Sequence, residues 1–174
     1  MENIRIKRFR AIFESRLETL SHLLDIADSH FVTDRAALFQ LRLAPDMLPF
    51  GTQIAFTCNQ PRNFALWCAD QPASNLNPEV TTLETARDYI TSTRELLSQI
   101  NAGDAKLSEI HRIDLGEGLS LELPGLAYVD DFLMPNFYFH LTTTYGILRM
   151  AGAAIGKRDF MMHLMPFVKR DPSC

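Results

Sequence analysis

The chain has 174 residues, 47% of them hydrophobic and 22% charged, which fits one globular domain over residues 1–174 with a sizeable core. A net charge of −4 argues against nucleic acid as a main partner, because phosphate binding needs a basic surface. No apolar run approaches the roughly 18 residues that span a membrane, so no membrane partner is expected.

The basic start, Arg5, Lys7, Arg8 and Arg10, is followed too soon by Glu14, Arg16 and Glu18 to be a secretory leader. It reads as the solvated opening of a first helix, in which Phe9, Ile12, Phe13, Leu17, Leu20, Leu23, Leu24 and Ala27 recur at three- and four-residue steps. A second helical segment runs from about Asp34 to Trp67. Pro45 and Pro49 interrupt it, since an interior proline removes a hydrogen bond and clashes with the preceding turn. Cys58 and Cys68 lie on this segment about 15 Å apart, too far for a disulfide within one helix. With Cys174 they make an odd count, which suits a reducing cytoplasm and cysteines that act as small apolar residues.

In the third helix Thr81 and Glu84 form a capping box, and Leu83, Ala86, Ile90, Thr93, Leu97 and Ile100 mark the buried stripe. Asn101 and Gly103 supply the stop. Two short apolar runs, 110–115 and 119–123, flank Gly116-Glu117-Gly118 and predict a small β-hairpin closed by Pro124-Gly125. The fourth helix begins near Pro135 and ends near Ala151-Gly152. The tail from Gly156, with Phe160, Met161, Met162, Leu164, Met165 and Phe167, is apolar enough to pack back on the bundle. The fold class is therefore all-α: a four-helix bundle with a hairpin inserted between its third and fourth helices.

Two places carry candidate chemistry. On the fourth helix, at about 100° per residue, Asn136, His140, Thr143 and Ile147 share one face. His140 is either a buried neutral histidine held by one hydrogen bond, or a metal ligand or proton-transfer group. Asn136 and Tyr138 offer polar groups to a pocket beside it, and Thr144 stands at the i+4 position. In the second segment Asp46 lies between Pro45 and Pro49, four residues after Arg42. It answers the dipole of a fresh helical section opened by Pro45, or it lines a pocket toward the bundle axis. Metal ligation needs at least two more donors, and none of His22, His30, His111 or His163 lies at i+4 from His140. No phosphate-cradling loop, CxxC, HExxH or nucleophile elbow is present.

The segments Arg42-Leu43-Ala44-Pro45-Asp46-Met47, Pro135-Asn136-Phe137-Tyr138-Phe139-His140 and Gly156-Lys157-Arg158-Asp159-Phe160 resemble the bacterial domain-of-unknown-function family nineteen-ninety-three of the DinB/YfiT-like superfamily. The resemblance covers nearly the whole chain. It implies a four-helix bundle, often a homodimer, within a group of metalloenzymes that use one histidine on the second helix and a His-x-x-x-His pair on the last. Some members transfer low-molecular-weight thiols. Of that pair only the first histidine carries over, as His140, with Thr144 at its partner's position; Asp46 is at best a rough counterpart of the second-helix histidine, and the implied cofactor is a divalent metal such as Zn or Ni. The expectations are an enzyme-like pocket at His140, or a non-catalytic bundle that binds a small molecule or a protein partner.

Overall fold

The computed structural model describes residues 3–33 and 35–169. Its long helices are α1 (Ile4–His30), α3 (Phe50–Cys68), α4 (Leu83–Ser98) and α6 (Met134–Met150), with α2 a single turn (Arg35–Leu38). The three-and-four spacing read from the sequence becomes the core: Phe9, Phe13, Leu17, Leu20, Leu24 and Ala27 of α1 are buried together with Ala86, Ile90 and Leu97 of α4. The first turn of α1 lacks a local cap. The Asp104 carboxylate, from the far side of the chain, accepts from the Arg5 and Ile6 amides at 3.1 and 3.0 Å.

Ion pairs from Arg94 to Glu18 (3.2 Å) and from Arg87 to Asp25 (2.8 Å) set α4 antiparallel to α1. Helix α3 packs most extensively on α6 and α4, and carries Pro61 in its interior. The break in the second segment is wider than a kink: residues 39–49 are turns, and Pro49 is the N-cap of α3. Asp34, the expected start of that segment, lies outside the described residues, as does Cys174. The cap of α4 falls one residue later than the sequence suggested, with Thr82 Oγ1 accepting from the Thr85 amide at 3.1 Å.

Between α3 and α4 an irregular strap, residues 71–80, runs back along α3 and is stitched to it by side chains. Asn63 accepts from the Ser74 amide, Asn59 from the Leu76 amide, Arg62 donates to the Ser74 carbonyl and Thr52 to the Pro78 carbonyl. Gly51 leaves room for it, since a Cβ there would lie 2.0 Å from the Val80 carbonyl oxygen.

After a 3₁₀ turn (Asp104–Ser108), β1 (Ile110–Gly116) and β2 (Leu119–Pro124) form the expected antiparallel hairpin, with Ile113 opposite Leu121. Gly116, Glu117 and Gly118 all take positive φ at its tip. A short helix α5 (Gly125–Ala127) leads through a π-helical turn (Tyr128–Leu133) into α6. The last elements, α7 (Lys157–Phe160) and a 3₁₀ helix (Met162–Phe167), lie on α1. Only the first part of this tail packs as expected: Phe160 meets Tyr145 edge-on at 5.7 Å, whereas Leu164, Met165 and Phe167 are exposed.

Candidate functional site

Helix α6 carries few charges, and its inward face holds Phe137, His140, Leu141, Thr144 and Leu148 against α3. His140 is buried, and its Nδ1 lies 2.8 Å from Oε1 of Gln53, itself 1% exposed on the facing turn of α3. Gln53 Nε2 in turn donates to the Leu48 carbonyl at 3.0 Å. A carbonyl only accepts, so the amide nitrogen must face Leu48 and the amide oxygen must face the imidazole. Nδ1 therefore carries the proton, and the lone pair sits on Nε2.

Nε2 makes no hydrogen bond to any described residue, and it is not among the fully enclosed side-chain atoms that lack a partner. The rings of Phe56 and Phe139 stand nearly perpendicular to the imidazole, each with its centre 5.2 Å from the imidazole's. Burial lowers the His140 pKa to about 4, so the imidazole is neutral at physiological pH.

The other residues singled out in the sequence take different places. Thr144 is fully buried, and its hydroxyl donates to the His140 carbonyl of its own helix at 2.9 Å. Asn136 Nδ2 donates to the Phe132 carbonyl in the π-helical turn at 2.7 Å. Tyr138 is half-buried and lines an open, largely apolar groove of about 630 Å³ with Leu43, Pro135, Phe139 and Thr143. His140 is not part of that groove's lining, although Phe139 and Thr143 beside it are.

Asp46 stands exposed in the turn before α3. Pro45 opens no helix there, and among the described residues Arg42 forms no ion pair with Asp46; its guanidinium donates to the Met47 carbonyl at 2.6 Å. The group on the second long helix that faces His140 is Gln53, a residue the sequence reading passed over. A lone amide between Phe50, Ile54 and Phe56 was the available signal, because a polar side chain in an apolar run must find a partner.

This donor set does not fit a Zn or Ni ion. The amide of Gln53 and the hydroxyl of Thr144 are neutral and already bonded, and His140 Nδ1 is occupied. Among the described residues no group of three His, Cys, Asp or Glu side chains is placed to hold an ion.

A second polar cluster lies at the far end of α3. Lys106 is buried, and its ammonium donates to Asp70 and, at 2.6 Å, to Glu109, while sitting 5.5 Å from the Trp67 ring centre. A cavity of about 490 Å³ opens beside it, lined by Cys68, Gln99 and Asn101 among others. Burial pushes the Cys68 thiol up to about 12, and Cys58 likewise. The cation is satisfied by two carboxylates and the thiol is protonated, so the cluster offers no activated nucleophile.

The model of a family described as a domain of unknown function (DUF1993) matches residues 8–161. Among solved structures three chains match. One is the crystal structure of a DinB family member protein from Shewanella denitrificans. It is 25% identical, with a TM-score of 0.75, over 94% of this chain and 90% of that one. No curated protein matches the chain.

Proposed function

The chain belongs to the DUF1993 family, and from that premise and the Leu48–Gln53–His140 hydrogen-bond chain we propose a metal-independent small-molecule-binding bundle whose ligand is engaged at His140 Nε2. One observation carries the reading: the only free polar atom of the His140–Gln53 pair is an unprotonated ring nitrogen fixed as an acceptor. Its ligand carries a neutral O–H or N–H donor on an apolar body, since the imidazole sits beside the rings of Phe56 and Phe139.

A proton-transfer enzyme is the competing reading. A base works best with a pKa near the working pH, and a histidine held near 4 is about three powers of ten from that at pH 7. Binding is therefore favoured over acid–base catalysis. A protein partner or a second copy of the chain remains the alternative occupant of the Leu43–Tyr138–Phe139 groove.

The test is ¹⁵N NMR of histidine-labelled protein, combined with metal analysis after incubation with Zn²⁺ and Ni²⁺ and dialysis. The expected spectrum shows His140 with Nδ1 protonated and Nε2 bare, and small phenols or amides move the Nε2 resonance. The dialysed protein retains no stoichiometric metal. Metal retained by the wild type and lost in His140→Ala would overturn the proposal, as would the opposite tautomer.

A further inference from the structure

Lysine is seldom buried, yet Lys106 is, in the 3₁₀ turn before the hairpin. Its ammonium donates to Asp70 and to Glu109 and lies 5.5 Å from the Trp67 ring centre. Gly125 lets the chain close over this arrangement. A Cβ there would lie 2.7 Å from the Lys106 carbonyl oxygen and 2.6 Å from the Trp67 ring.

Asp70 departs from two local preferences. Its amide donates to the Trp67 carbonyl and the next amide, Gln71, to the Leu66 carbonyl, the pattern that ends a helix on a residue of positive φ. Asp70 takes that φ, +56°, where glycine is the default. It is also an acid at the negative end of α3, and neither α3 nor α4 has a basic residue in its last turn. Such departures concentrate at functional sites. Pairing with Lys106 accounts for only part of this one, because each carboxylate gives the ammonium a single oxygen. Among the described residues, Asp70 Oδ2 and Glu109 Oε1 accept no hydrogen bond.

These groups line a cavity of about 490 Å³ between the C-terminal ends of α3 and α4, large enough for a small organic molecule. Leu66, Leu96, Ile100 and Ala102 give it an apolar wall. Two carboxylates against one ammonium leave one negative charge in excess, and the two helix ends add roughly half a charge each of the same sign. That field repels an anion and draws a cation.

We propose that this cavity binds a small organic cation, an alkylammonium or guanidinium on a short apolar chain, whose N–H groups donate to Asp70 Oδ2 and Glu109 Oε1. Its apolar chain lies along Leu66, Leu96 and Ile100. The site is independent of His140, whose partner Gln53 stands in the first turn of α3, about 22 Å along the helix from Cys68.

The test titrates n-butylammonium chloride into the full-length protein at constant ionic strength, with n-butanol and sodium butyrate as matched probes. Binding is followed by calorimetry and by the fluorescence of Trp67, the chain's one tryptophan, which lies beside the Lys106 ammonium. The expected result is a saturable response to butylammonium and none to butanol or butyrate at the same concentrations. In Asp70→Gly, which suits the positive φ and so keeps the helix end, the affinity falls about tenfold or more, as expected for loss of a charge-assisted bond. Ala69→Phe fills the cavity from an exposed position without changing its charge, and weakens binding to a similar degree. No saturable response to butylammonium by either readout would overturn the proposal. An equal response to butanol or butyrate, or an affinity undiminished in Asp70→Gly, would do the same.

Discussion

Replacing Gln53 with leucine removes both hydrogen bonds of the Leu48–Gln53–His140 chain while keeping the volume of the side chain nearly constant. The two orphaned groups are not equivalent. Leu48 is 42% exposed, so its carbonyl can turn to water, whereas His140 is 9% exposed and its Nδ1–H faces the inside of the α3–α6 interface. One buried donor left without an acceptor costs about 1–3 kcal/mol. The imidazole can soften this by moving its proton to Nε2, which leaves a buried lone pair in place of a buried N–H, so we expect about 1–2 kcal/mol. For a chain of this size that is about 2–8 °C in thermal midpoint. Urea unfolding of Gln53→Leu, His140→Leu and the double variant, with unchanged m-values, measures it. The single losses overlap, so the double variant should cost less than their sum by at least about 0.5 kcal/mol. Strict additivity, or a neutral Gln53→Leu, would refute the claim that this chain holds His140.

Three further outcomes follow from the same structure. Because burial puts the folded pKa of His140 near 4, below its ordinary 6.5, His140 contributes stability that is fully present above about pH 6.5. That contribution is lost as the pH falls through about 4, by up to about 3 kcal/mol, and the corresponding slope should be missing in His140→Gln. Lys106→Ala should be less stable than Lys106→Met by about 1–2 kcal/mol in chemical denaturation. The partners Asp70 and Glu109 are largely solvated once freed, so the buried stem of Lys106 matters more than the charge. Gly51→Ala should cost about 1–3 kcal/mol, because its Cβ would collide with the backbone of Val80 and lift the strap; a thermal midpoint within 1 °C of wild type would contradict this.

Much of the architecture was legible because burial is periodic. The stripe on α1, the Leu83–Ser98 helix and the hairpin around Gly116-Glu117-Gly118 all follow from spacing and turn chemistry, within about one residue at the α4 cap. His140 stood out for the same reason, as a polar residue in an apolar helix. Its partner did not, because Gln53 lies 87 residues away in sequence and only the packing of α3 on α6 joins them. At Asp46 two flanking prolines and a nearby arginine make an unusual sequence, and their physical product is a turn that Arg42 braces through a backbone carbonyl. The π-helical turn at Tyr128–Leu133 and the pairing of the tail with α1 leave no periodic trace at all, since both are settled by contacts between distant segments.

The strap between α3 and α4 gives the bundle a built-in gauge of its own integrity. Ten residues without regular structure would ordinarily be an easy target for a protease. Here the amides of Ser74 and Leu76 are held by asparagine side chains on successive turns of α3, so a cleaving enzyme can admit the segment only after those turns loosen. The rate of nicking within residues 71–80 is thereby coupled to breathing of the helix that carries Gln53. Limited digestion could thus follow the opening of a buried site by watching a surface segment far from it in sequence.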